Sequence, residues 1–361
     1  MPKLKLAIRE EKTAYKLLLP AFIVLIIVAI YPLGTVFYTS LTDKGFASTK
    51  ETSFVGFENY KKLLSLTIKE LPPRMTWGSL LDEEVAKQEV DLKTEEPVYE
   101  KSIKILPREP IRYKELAQFS LFEKRYVIGA TDPAFIQAIG NTLQFTLISV
   151  LLETILGLGI ALVVNSNFKG RGIMRAAMLV PWAVITVVSA KIWHWMLQSS
   201  RVGLFNTILA KFGIGAGQIA FLSEKIWQIP SMIMIDVWKT TPYMALLLLA
   251  GLQIIPMELY EAAAIDGAGK IKQFIKITLP LLKPALAVAL IFRTLDALRV
   301  FDLFQVVLGS REYSMATYNY YQLVGNRAMG YSSAVGVIIF VIIFAFAILY
   351  IKALGGVYSS E

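Results

Sequence analysis

Cysteine is absent from this sequence, and histidine occurs once, at His194. The first absence excludes a disulfide framework and any thiolate-ligated zinc or iron-sulfur centre. The second leaves His194 without a fellow ligand, so it makes no metal site and is given no catalytic role. A phosphate-cradling Gly-x-x-x-x-Gly-Lys-Ser/Thr loop is also missing: the pair Gly269-Lys270 would need a glycine where Ala264 stands. Charged residues make up only 18% of the chain, and no internal repeat or low-complexity tract is present.

What is abundant is apolar sequence. Of 361 residues, 55% are hydrophobic, and the mean hydropathy of +0.54 is too high for a soluble domain of this size unless long stretches lie in lipid. Crossing the hydrocarbon core takes about 20 mainly apolar residues in a helix, because every backbone N–H and C=O must be paired internally there. Six stretches meet that length: Leu17–Tyr38, Thr142–Val164, Ala176–Leu197, Ile233–Leu252, Leu282–Leu303 and Val335–Leu354. The first is too long for a signal-peptide core and reads as an uncleaved anchor, with the mature chain beginning near Met1.

The net charge of +9 raises the question of nucleic acid, but the basic residues are scattered over short loops and helix ends, and no nucleic-acid partner is expected. Sidedness explains them better. With a cytoplasmic N-terminus, thirteen cations face inside: Lys3, Lys5, Arg9, Lys12, Lys16, Lys169, Arg171, Arg175, Lys270, Lys272, Lys276, Lys283 and Lys352. The short outer loops hold five, Arg201, Lys211, Lys225, Arg311 and Arg327, so both termini are placed in the cytoplasm.

Composition divides the chain into a cytoplasmic N-terminus and first span over 1–41, an extracytoplasmic insertion over 42–134 and a membrane core over 135–361. The insertion carries 15 Lys/Arg and 16 Asp/Glu, with Pro72, Pro73, Pro97, Pro107, Pro110 and Pro133. Its apolar residues alternate with charge at Val98-Tyr99, Ile103, Ile105-Leu106 and Tyr126-Val127-Ile128, a pattern of short strands or turns around a small core. Lys169-Gly170-Arg171-Gly172 is a tight basic turn on the inner side.

Residues 256–280 are amphipathic. Pro256 suits a first helical turn, Glu258 and Glu261 complement its dipole, and Gly267 and Gly269 end it. A second short helix follows with Ile271, Phe274 and Ile275 on one face before Pro280 interrupts. On the first helix, Tyr260, Ala263, Ala264 and Gly267 fall at i, i+3, i+4 and i+7, an aromatic anchor among small residues that lets another protein approach, with Glu261 beside it to meet a basic group. The same small residues would equally let the helix pack on its own bundle.

Here the chain reads Glu261-Ala262-Ala263, then Gly267, then Ile277-Thr278-Leu279-Pro280. This resembles the EAA signature of binding-protein-dependent ABC importer permeases. Phe54-Val55-Gly56-Phe57-Glu58-Asn59-Tyr60, Asp132-Pro133, Asn141-Thr142, Pro181-Trp182, Arg293-Thr294-Leu295-Asp296 and Val300-Phe301-Asp302 are similar to the carbohydrate-uptake branch. The insertion is longer than usual, similar to the maltose-type subunit, and Gly309-Ser310-Arg311-Glu312 stands where that branch often has Gly-Gly-Gly-Pro.

The resemblance implies an all-α integral membrane protein with six transmembrane helices of the type I importer permease fold and a soluble insertion between the first two. It implies coupling to an ATPase through Tyr260, Glu261, Ala262, Ala263, Ala264, Gly267, Leu279 and Pro280. It also implies a second permease subunit, two cytoplasmic ATPase subunits that carry ATP and Mg, an extracytoplasmic solute-binding protein, surrounding lipid, and a sugar such as maltose or trehalose as cargo. The chain itself is expected to bind no cofactor and to be no enzyme. The insertion would contact the binding protein or serve stability alone.

Charges within or beside the spans, Glu153, Lys191, Asp236, Lys239, Arg293, Asp296, Arg299 and Asp302, are costly in lipid and should face the bundle interior, a partner or the interface. Arg293, Asp296, Arg299 and Asp302 alternate in sign at i, i+3 spacing, and Asp236 with Lys239 makes a similar pair. These groups either line a solute path or hold subunits together. Trp182, Trp238 and Tyr243 are candidates for stacking on a sugar ring, whereas Trp193 and Trp195 read as interfacial anchors. The candidate path is Trp182, Asp236, Trp238, Tyr243, Arg293 and Asp296. A different mechanism, ion-coupled secondary transport with a titrating Asp236, Asp296 or Asp302, fits the same charges; a membrane sensor is a third reading.

Overall fold

The computed structural model describes residues 2–71, 105–122, 124–200, 202–213 and 219–355, with the backbone alone for 2–12 and 353–355. Pro72, Pro73, Pro97, Val98, Tyr99, Ile103 and Arg201 lie outside the described residues. Among the described residues five helices are long and apolar enough to cross a membrane, or six when a bent pair is counted as one span. The six-span expectation agrees with this count, and three of its details need correction.

The first helix runs Pro2–Leu25, passes through a π-helical turn at Ile26–Ile30 and continues over Tyr31–Ser40. A second π turn, Phe274–Thr278, lies between Lys270–Gln273 and Leu279–Ala297. Both turns are followed by a residue and then a proline, Pro32 and Pro280. Proline lacks an N–H and its ring presses on the carbonyl four residues back. The wider turn, seen in Tyr31 N donating to Ile26 O and Leu279 N to Phe274 O, accommodates the ring. Pro280 was expected to interrupt the chain; instead the helix continues through it.

The third span, expected as one helix over Ala176–Leu197, is two: Arg171–Ala183 and Thr186–Met196 meet at 86°. Val184 and Ile185 between them are extended, with ψ of 131° and 132°. β-Branched residues favour that conformation at little cost. The fifth span also ends early, at Ala297 rather than Leu303, and a separate short helix begins at Asp302.

Two compact units emerge, Met1–Pro133 with Asn319–Ile338, and Ala134–Tyr318 with Ile339–Glu361. In the first, strands β1 (Leu66–Leu71), β2 (Lys114–Leu121) and β3 (Lys124–Ala130) form an antiparallel sheet in the order β1-β3-β2. Ile68 is opposite Ile128, and Phe119 is opposite Tyr126, their rings stacked at 5.4 Å. Val127 points the other way and buries against Leu71 and Leu106. Tyr126-Val127-Ile128 is a strand as read, whereas Leu106 joins the core from outside the sheet.

In the second unit the helices Pro133–Asn165, Lys225–Gln253 and Leu279–Ala297 form the frame. A side chain at Gly251 would put its Cβ 2.4 Å from that of Ala285, so glycine is what lets the fourth and fifth spans touch. One apolar cluster gathers around Phe145, Met232 and Phe304, another around Met244, Leu248 and Leu282.

Candidate functional site

Beside the first of these clusters lies a polar cavity of about 300 Å³, lined by Trp182, Asp236, Lys239, Thr240, Arg293 and Asp296 among others. Its floor is an ion cluster. Arg293 donates from Nε to Glu153 Oε2 at 2.5 Å, from Nη2 to Glu153 Oε1 at 3.0 Å and to Asp236 Oδ2, and from Nη1 to Asp296 Oδ2 at 3.1 Å. Thr240 Oγ1 adds a hydrogen bond to Glu153 Oε1 at 2.5 Å. Glu153 and Arg293 are 0% and 2% exposed, whereas the Asp296 side chain is 71% exposed. Three carboxyl groups meet at one guanidinium, and of these Asp296 is the one exposed to the cavity. The planar fork of arginine suits it to bridging carboxylates from different helices. Among the described residues no set of His, Cys, Asp or Glu is arranged to hold a metal.

Two charge pairings read from spacing are corrected. Asp236 is held by Arg293 and not by Lys239, whose Nζ donates to Val184 O at 2.7 Å and Trp182 O at 3.3 Å. The alternating stripe holds only from Arg293 to Asp296. The helix ends at Ala297, and Arg299 Nε turns back to Leu295 O at 3.2 Å.

Of the aromatic candidates, Trp182 lies on the cavity wall and stacks on Tyr243, with ring centroids 5.7 Å apart and planes 8° from parallel. Trp238 packs edge-on to Trp193 at 5.5 Å. Trp193 is not an interfacial anchor: it is buried and also stacks on Phe205. Trp195 is exposed. The site therefore joins Trp182, Tyr243, Asp236, Arg293 and Asp296, and Trp238 stands behind it. Glu153, a costly charge outside the expected path, holds Arg293 at the base of this site. Its signal was available, because it is the only charged residue in Pro133–Asn165.

The segment 256–280 folds as a knuckle. A helix over Met257–Ile265 starts after Pro256 and closes on Gly267, which has φ of 75°. Gly267 N donates to Ala264 O at 3.1 Å and Ala268 N to Ala263 O at 2.8 Å, the paired bonds of a Schellman turn. The spacing of Ala263, Ala264 and Gly267 is thereby explained as a helix stop. Glu261, Ala262 and Ala264 are exposed, Ala263 and Leu279 half-buried, and Pro280 exposed.

One expectation for the knuckle is revised. Tyr260 is not a free anchor: it is half-buried, and its hydroxyl hydrogen-bonds Thr278 Oγ1 at 2.9 Å. On the second short helix Ile271 and Ile275 are exposed and Phe274 is half-buried, while Gln273 and Thr278 are buried. Gln273 Nε2 donates to Ala268 O at 3.0 Å and Tyr260 O at 3.3 Å. Carbonyls freed by the turn need donors, and an amide supplies two where leucine supplies none.

Comparison with known proteins follows the same outline. The family described as the binding-protein-dependent transport system inner membrane component matches residues 153–354. The trehalose/maltose transport system permease protein of Thermococcus litoralis is 38% identical, over 96% of this chain and 95% of its own. The sulfoquinovosyl glycerol transport system permease protein of Agrobacterium fabrum is 30% identical, over 95% and 90%. In fold, the chain is similar to a bacterial ABC transporter involved in the import of the acidic polysaccharide alginate, with a TM-score of 0.65 at 20% identity over 99% of this chain and 100% of that one.

Proposed function

Because this chain belongs to the binding-protein-dependent transport system inner membrane components, we propose that it forms half of a sugar path through the cytoplasmic membrane. The solute is delivered by an extracytoplasmic binding protein, and movement is driven by two cytoplasmic ATPase subunits that carry ATP and Mg. A second permease subunit completes the path. Both termini lie in the cytoplasm, in keeping with the bias of lysine and arginine toward one set of loops.

The observation that carries the reading is the cavity between Asp236, Arg293 and Asp296, walled by Trp182 on Tyr243. Carboxylates accept hydrogen bonds from hydroxyl groups, and an indole face suits the apolar side of a pyranose ring. Arg293 is enclosed by three carboxylates and Lys239 by two carbonyls, which favours a neutral sugar such as maltose or trehalose over an acidic one. The knuckle at 256–280 seats in the ATPase through the exposed Glu261, Ala262 and Ala264, and its Tyr260, Ala263, Gly267, Leu279 and Pro280 keep its shape. No bond is made or broken on this chain.

The test is sugar flux into vesicles holding the full complex, with maltose, trehalose and an acidic oligosaccharide compared. ATP-dependent accumulation of a neutral sugar is expected. Accumulation that persists without ATP and collapses with a protonophore would refute the importer reading.

A further inference from the structure

The break in the third span creates a chemical problem that the fourth span solves. In a continuous helix the carbonyls of Trp182 and Val184 would accept from amides four residues on. With Val184 and Ile185 extended, those bonds are lost, and an unpaired carbonyl is expensive inside a membrane. Lys239 Nζ stands 2.7 Å from Val184 O and 3.3 Å from Trp182 O. It thus supplies two hydrogen bonds and places a cation at the negative end of the first half-helix.

One helical turn beyond Lys239, on the same face, is Tyr243, the ring on which Trp182 lies. Trp182 is therefore fixed twice by the fourth span, through its carbonyl and through its ring. A lysine in a span has a strong cost unless it has work of this kind. Asp236, the nearest acidic candidate on its own helix, is taken by Arg293.

We infer that Lys239 is a positioning residue of the solute cavity: its ammonium caps the carbonyls of the broken third span and thereby holds the Trp182 ring flat on Tyr243 at the cavity wall. The transport consequence rests on the proposed sugar path, but the structural one does not.

The absence of cysteine makes the test direct. Met174→Cys and Ile192→Cys put one thiol on each half-helix, both at exposed positions outside the cavity lining. Spin labels on the pair report the bend by pulsed distance measurement in the assembled complex. A narrow distribution is expected with Lys239 and with Lys239→Arg, and a broadened one with Lys239→Met. The half-saturating concentration for maltose or trehalose uptake should rise about threefold to tenfold in Lys239→Met, the span expected for losing one ring contact, with the maximal rate within about twofold. Should Lys239→Met fail to accumulate in the membrane, Lys239→Gln, uncharged and too short to serve both carbonyls, should broaden the distribution in its place.

An unchanged distribution in whichever neutral variant accumulates overturns the inference, as does Lys239→Arg broadening as much as Lys239→Met. A broadened distribution in a complex whose parent transports neither sugar supports the role of Lys239 and counts against the sugar reading instead.

Discussion

Arg293 grips Glu153 with two nitrogens, at 2.5 Å and 3.0 Å, across 140 positions of sequence. Both side chains are buried, so neither can turn to water when the other is removed. Glu153→Leu should lower stability by about 1–3 kcal/mol, since Arg293 loses two charged hydrogen bonds but keeps Asp236 and Asp296. Asp296→Asn, at the exposed end of the same cluster, should cost under about 1 kcal/mol. Thermal unfolding of the detergent-purified protein measures both, and equal effects would contradict the burial gradient.

The Schellman turn makes its own forecast. Gly267→Ala forces a side chain into left-handed backbone, at roughly 1–2 kcal/mol. Gly267→Pro also demands φ near −65° and removes the N–H that serves Ala264 O. Both variants should insert normally, and the proline variant should lose sugar-stimulated ATP hydrolysis by the complex. Full stimulation with Gly267→Pro would mean the turn is not the grip.

Gln273→Leu looks conservative for a buried helix position yet should loosen the knuckle. It takes the donor from Ala268 O and one of two from Tyr260 O, at about 1 kcal/mol for half-buried groups. Faster hydrogen exchange at the amides of Gly267 and Ala268 is the expected sign, and parental exchange rates would show the amide to be idle.

Outside the membrane, Asp43 is held below the ordinary carboxylate range, first by the Ser53 backbone amide at 2.7 Å, with Lys50 assisting. A depressed folded value means the support is full above the unfolded value of 3.8 and fades as pH falls through the lower folded one. Protection of the Ser53 amide should therefore drop in acid below that region relative to a parallel Asp43→Asn variant. A variant equal to the parent at neutral pH would remove the carboxylate from the account.

The spans were legible because lipid imposes a long apolar run on any helix that crosses it, as at Thr142–Val164. The Gly267 turn was legible because glycine marks left-handed backbone. The break at Val184–Ile185 was not, since both residues are as apolar as their neighbours and hydropathy carries no record of ψ. The partner of Asp236 was hidden for another reason: Lys239 is three positions away and Arg293 is 57, and spacing speaks only for neighbours. In the knuckle, periodicity aligned Ile271, Phe274 and Ile275 on one face but carried no sign that Gln273 is buried, because its bonds to Ala268 O and Tyr260 O depend on the turn.

The unbroken run of helix from Lys270 to Ala297, π turn included, has a mechanical meaning. Tyr260 is fastened to Thr278 at its foot, and Arg293 stands fifteen residues further on, about 22 Å along the axis. The two ends behave as parts of one rod. On the proposed seating of the knuckle in an ATPase, a shove on the short helix at Met257–Ile265 would travel along that rod toward the place where three carboxyl groups meet Arg293.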